Sequence, residues 1–290
     1  QPRSRGLGDV YKRQSLSVFA IILLGAALHA TWNAVVKGGV DKLLTTCMIA
    51  SAASLIALAA IPFLALPARE SWPFIGASVV LQVLYFVLVA STYRIADMSQ
   101  TYPIMRGTAP LLVALVSVLV LHEPLSAFAW LGIGVICLGI LSMAAAPSAG
   151  HKKGLVLALI NALVIAGYTL IDGLGVRKSG APAAYTLWIF LLTGIPLAAW
   201  ALAARRAAFC RYVARNWQLG AVGGAGTVAS YGLALWAMTH APIATVSALR
   251  ETSILFGVVI SAWVLKEHLT QARIIAAGII AVGAMVLRLG

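Results

Sequence analysis

Residues 106–126, RGTAPLLVALVSVLVLHEPLS, and residues 250–270, RETSILFGVVISAWVLKEHLT, are one pattern written twice, 144 positions apart. Arg106 falls on Arg250, Glu123 on Glu267, Leu125 on Leu269 and Ser126 on Thr270. The register continues with Gly134 on Gly278 and Gly139 on Gly283. Each copy places an arginine ahead of an apolar run, then a short charged turn, then a glycine-spaced helix. A match sustained across two helices and their turn marks an internal duplication.

Runs such as LLVALVSVLVL and ILFGVVISAWVL are apolar on every face, which suits a membrane helix and not the alternating strands of a barrel. The whole chain shares this character. Of 290 residues 61% are hydrophobic and only 10% charged, with a mean hydropathy of +0.96, against roughly 25% charged residues in soluble domains. A bilayer core of about 30 Å needs ~20 apolar residues per helix. Marking such runs predicts ten transmembrane helices, near 15–36, 43–66, 72–93, 99–121, 126–145, 154–174, 183–204, 217–238, 244–264 and 270–288. The expected fold is an all-α membrane protein of two five-helix repeats, 15–146 and 147–290. Five spans per unit start the second copy on the opposite side of the membrane, so the repeats are expected to be inverted. Inverted repeats let a site between the halves open alternately to each side.

The net charge of +13 does not point to nucleic acid, because lysines and arginines are scattered over short loops and form no stripe. Cys47, Cys137 and Cys210 lack metal-ligand spacing, and no metal or other cofactor is expected. Residues 1–14, QPRSRGLGDVYKRQ, change composition abruptly at Ser15. They resemble a translated sequencing adapter and are read as a non-native tail.

The two helix-turn-helix endings, LHEPLSAFAWLGIGVICLGI and LKEHLTQARIIAAGIIAVGA, with ten helices in two repeats, resemble the EamA family of the drug/metabolite transporter superfamily. His122-Glu123 and Lys266-Glu267 stand where that family commonly has a Gly-Glu turn. The resemblance implies a secondary exporter or exchanger of small metabolites that hydrolyses no ATP. It places the chain in the bacterial inner membrane as a multi-pass protein, a monomer or weak dimer whose partners are a small-molecule substrate and lipid.

An arginine at mid-helix costs roughly 2.5 to 3.5 kcal/mol on insertion scales, so Arg106 and Arg250 should face the bundle interior. In one reading their planar forks line a central cavity and hold an anionic substrate group. In the other, Arg106 caps carbonyls or snorkels, while Arg250 is neutralised by Asp172 or Glu251. Glu251 and Asp172 are the candidates for proton coupling, since a carboxyl sequestered from water can load and release a proton. The counterpart of Glu251 in the first half is Gly107.

His29, Trp32, Asn33 and Lys37 lie along one helical face. His29, Trp32 and Asn33 are candidate substrate contacts, as are Tyr85, Tyr102, Tyr168 and Tyr231. Asn161, Tyr168 and Asp172 share a face of the sixth span, although Asp172 also suits an interfacial position near Arg177 and Lys178. Glu123 and Glu267 are expected in structural turns, with Ser126 and Thr270 capping the helices that follow.

No converging set of aspartates, histidines or a Ser-His pair argues for an enzyme, and no catalytic residue is expected. A lipid or lipid-precursor flippase would use the same inverted architecture and is the alternative. Loop charge favours the termini outside, whereas the family resemblance implies them inside.

Overall fold

The computed structural model describes residues 16–96, 98–145, 152–263, 266 and 270–289, so expectations for residues 1–14, Glu267 and Leu269 fall outside it. Among the described residues the regular elements are all helical: α1 (Leu16–Gly38), α2 (Lys42–Ala60), α3 (Trp72–Ile95), α4 (Met98–Leu119), α5 (Ala127–Ser142), α6 (Lys152–Ser179), α7 (Pro182–Met238), α8 (Ile243–Arg250), α9 (Ser253–Trp263) and α10 (Gln271–Leu289), with three short 3₁₀ turns. A helix pairs its backbone groups within its own segment, which is what lipid demands of an apolar run. Polar residues mark its ends. Asp41 accepts from the amides of Leu43 and Leu44, both at 3.0 Å, to start α2, and Ser126 accepts from Ala129 N at 3.0 Å to start α5.

Eight of the described stretches are long and apolar enough to cross a membrane, and α5 is a shorter apolar helix. The count departs from ten because the expected spans 183–204 and 217–238 are joined in the 57-residue α7. A straight helix of that length would reach ~85 Å, nearly three bilayer cores. It does not run straight, because Arg205 (φ −143°, ψ 36°) and Asn216 (φ −125°, ψ 17°) leave helical geometry. Gly194, before the breaks, backs onto Ala50 and Ser54 of α2, and Gly224, after them, backs onto Ala52 and Ala53. The chain therefore doubles back along α2. The connecting stretch is held at the head of α2, where Arg205 Nη1 lies 3.1 Å from Asp41 Oδ2 and the Thr45 and Tyr212 hydroxyls are 2.6 Å apart.

A second departure lies in the expected span 244–264, which is cut between α8 and α9. The amides of Thr252 and Ile254 donate to carbonyls three residues back, Leu249 O and Glu251 O, both at 3.0 Å. The helix thus tightens into a 3₁₀-like turn at Glu251 and Thr252, a form often found at hinges.

The duplication is visible in the packing. Cα positions of α5 and α10 approach so closely that a Cβ added at Gly139 would lie 3.0 Å from Ile280 Cγ1 and 3.2 Å from Ala276 O. One added at Gly283 would lie 2.7 Å from Ile136 Cγ1 and 3.0 Å from Gly132 O. Subtracting 144 turns the first set of neighbours into the second. The contact is self-complementary, as a two-fold axis requires. It also runs antiparallel: Gly132 meets Gly283 and Leu287, whereas Gly139 meets Ala276 and Ile280. The turns repeat as well, with the equivalent residues His122 and Lys266 at φ 53° and 52°. That left-handed conformation is uncommon outside glycine, so its recurrence is a second trace of the shared fold.

Candidate functional site

Polar side chains from six segments gather in the middle of the bundle. Arg106 of α4 and Glu251, at the α8–α9 turn, form an ion pair between the repeats. Arg106 Nε donates to Glu251 Oε2 at 2.9 Å, and Nη2 lies 2.9 Å from Oε1. Both residues are buried, at 7% and 5% exposure. In such a place the pair matters chiefly through what is left behind if one partner goes, a buried charge with nothing to balance it.

Arg250, the repeat counterpart of Arg106, has different company. Its guanidinium lies 4.9 Å over the ring of Tyr231, and it takes part in none of the ion pairs among the described residues. It is partly exposed. Consecutive helical residues point ~100° apart, so Glu251 faces Arg106 and not its own sequence neighbour. Arg250 thus forms no ion pair with Glu251 or Asp172 among the described residues, although both acids lie within electrostatic reach of it.

Asp172 is fully buried in α6, two turns before the helix end, and so does not occupy the interfacial position. Its Oδ1 accepts from Tyr185 OH at 3.2 Å. Its Oδ2 accepts from Tyr231 OH and from Gln82 Nε2, the latter at 3.4 Å. Tyr231 thereby links the two charges, with its hydroxyl on Asp172 and its ring under Arg250.

Tyr168 lies within electrostatic reach of Arg106, Arg250, Glu251 and Asp172, and its ring meets that of Tyr85 at 6.1 Å. Tyr102 lies near Arg106 and Glu251. His29 of α1 is near both arginines, while Nδ1 accepts from Trp32 Nε1 at 3.3 Å. Asn33 Nδ2 is spent on His29 O at 2.7 Å. Trp32 turns to a neighbouring cleft between α1, α2, α3 and α7. Asn161 donates to Met105 Sδ at 2.9 Å, and its carbonyl oxygen is buried without a partner. The arrangement thus gathers His29, Tyr85, Tyr102, Arg106, Tyr168, Asp172, Tyr231, Arg250 and Glu251, and leaves Trp32 and Asn33 at its edge.

Sequence reading passed over Gln82 and Tyr185, the other holders of Asp172. A lone amide amid the apolar residues of α3 was the available signal for Gln82.

One end of the bundle is fastened across the repeats. Glu123, after α4, pairs with Arg177 Nη1 of α6 and accepts from Ile243 N, at the start of α8, at 3.2 Å. Arg177 also donates to Met238 O at 2.7 Å and Ala241 O at 3.0 Å. Glu123 is thus a clasp as well as a turn residue.

The sequence profile of the EamA-like transporter family matches this chain twice, over residues 16–145 and 152–289. The chain belongs to the EamA-like transporter family. As an EamA protein it carries two such units in one multi-pass membrane chain, consistent with the drug/metabolite transporter superfamily, whose members are generally transporters and not enzymes. A protein of known structure, described only as "Crystal structure of protein", superposes with a TM-score of 0.74 at 17% identity, covering 93% of this chain and 96% of that one. At that identity the likeness speaks for the EamA fold alone. No curated protein matches the chain.

Proposed function

We propose that the protein is a secondary transporter of a small polar, anionic metabolite, working by alternating access around the cluster of Arg106, Arg250, Glu251 and Asp172. The observation that carries the proposal is the self-complementary, antiparallel packing of α5 on α10 beside a cluster with one unpaired arginine. In this reading the two arms of α7 are separate crossings, α8 with α9 makes one and α5 is a short one, which gives ten crossings in two inverted five-helix units. Two-fold related halves can make similar contacts in two arrangements, the requirement for opening to either side.

In this reading Arg250 is the anion contact, with His29, Tyr102, Tyr168 and Tyr85 in the walls. Arg106 and Glu251 hold the hinge between α8 and α9. Glu251 is the coupling carboxylate, because gaining a proton would release Arg106 and free the turn on which Glu251 sits. Asp172 is held by donors that include Tyr185, Tyr231 and Gln82 and sets the position of Tyr231. The bacterial inner membrane is the proposed location.

The test is thermal stabilisation of purified protein by a panel of organic anions, organic cations and neutral compounds. Anions that raise the melting temperature of the wild-type protein but not of Arg250→Gln support the proposal. Stabilisation by cations alone defeats it. Uptake of the stabilising anion into proteoliposomes, with and without an imposed pH gradient, then reads coupling.

A further inference from the structure

Beside the charged cluster lies a cleft most of whose side chains the mechanism leaves without work. Trp32, Phe86 and Phe190 form apolar walls, and Gln82, Thr193 and Thr227 bring polar groups to it. In the apolar helices of this protein a threonine usually returns its hydroxyl proton to the carbonyl four residues back. Thr31, Thr46, Thr92, Thr169 and Thr186 all do so, at 2.7–2.9 Å. Thr193 does not. It is only 5% exposed, and its buried Oγ1 has no hydrogen-bond partner, a state that costs free energy wherever water is scarce. Gln82 spends its amide nitrogen on Ser78, at 3.0 Å, and on Asp172, which leaves its carbonyl oxygen to accept from an occupant of the cleft.

The cleft shares a wall with the arginine site. Phe190 meets Tyr231 at 6.0 Å with ring planes 86° apart, and Arg250 covers the same Tyr231 ring. Gln82 and Tyr231 also bind the same carboxylate oxygen of Asp172. Arg250 and the cleft are thus linked through the contacting rings of Tyr231 and Phe190.

We propose that the cleft receives the uncharged body of the transported anion. The substrate class is then an organic monoanion with an apolar body that carries a hydrogen-bonding group at its far end, bound by Thr193 and Gln82. The single charge follows from the site, where Arg106 is in an ion pair and Arg250 is in none among the described residues. This inference rests on the anion contact at Arg250 and adds the second subsite.

Binding of acetate, phenylacetate and 4-hydroxyphenylacetate to the purified full-length protein, by titration calorimetry, tests it. The affinity should rise in that order. Thr193→Val should weaken 4-hydroxyphenylacetate roughly tenfold, the scale of one hydrogen bond, and phenylacetate by no more than about twofold. Thr193→Ser, which keeps the hydroxyl, should restore the wild-type value, and unliganded melting temperatures check that both variants fold. If Thr193→Val binds all three probes like the wild type while Arg250→Gln weakens them, the cleft assignment fails and the arginine site stands. If 4-hydroxyphenylacetate binds no better than acetate, the cleft assignment fails in the same way. If Arg250→Gln weakens none of the probes, both fall together.

Discussion

Arg106 and Arg250 began as the same residue in two copies of one unit, and they have come to do different things. Arg106 is closed off against Glu251, with two nitrogens facing two oxygens at 2.9 Å. Arg250 lies over the Tyr231 ring, within electrostatic reach of Glu251 and Asp172 but in no ion pair among the described residues. The difference traces to a single pair of equivalent positions, 107 and 251. A Cβ at Gly107 would lie 2.9 Å from Leu141 Cγ and 3.3 Å from Ile140 Cγ2, so the first repeat has no room for an acid where the second has Glu251. One carboxylate serves two arginines, and geometry assigns it to the distant one in sequence. A duplicated charge can thus be retained in one half as a fastening and in the other as a free contact.

The comparison can be broken hardest at Glu251. Glu251→Gln leaves Arg106 buried without a counter-charge and should cost about 3–5 kcal/mol, read as a large fall in melting temperature and in folded yield. Arg106→Met combined with Glu251→Met should recover most of that loss, because a well-packed apolar pair can replace a buried ion pair at little cost. Gly107→Ala comes next. The added methyl group must displace Leu141, and overpacking of this kind costs about 1–3 kcal/mol; a variant as stable as the wild type would remove the steric account of the asymmetry.

Arg250→Gln should have a much smaller effect on folding, about 0.5–1 kcal/mol for the lost contact with Tyr231, while weakening anion binding more than tenfold. A drop in stability as large as that of Glu251→Gln would show that Arg250 is a fastening too. The clasp is expected to act on stability alone, with a similarly small effect. Glu123→Gln should lower stability by about 1 kcal/mol, and adding Arg177→Gln should cost less than the two changes summed, since they share one interaction.

Much of the fold could be read from residues alone, because the bilayer sets the length of every span and the 144-residue register exposes the duplication. The breaks could not. Nothing in the apolar runs around Glu251 and Thr252 announces a 3₁₀ turn; Glu251 is engaged there with Arg106, a residue 145 positions away. The merging of two spans into α7 likewise depends on Arg205 and Asn216 departing from helical angles inside a continuous hydrogen-bonded run.

In the site, the arginines, tyrosines and both acids were recognisable as polar groups too costly to bury without purpose. Their pairing was not, because it depends on which way each residue faces across two repeats. Thr193 is silent in the sequence for a simpler reason. A threonine within an apolar helix ordinarily bonds its own backbone, and only the arrangement in space distinguishes one that does not.

The most direct measurement is the affinity of 4-hydroxyphenylacetate for two proteins, Arg250→Gln and the double variant Arg106→Met with Glu251→Met. The account predicts that the double variant binds within about threefold of the wild type and that Arg250→Gln loses more than tenfold. The opposite order, with binding lost in the double variant and kept in Arg250→Gln, would contradict it.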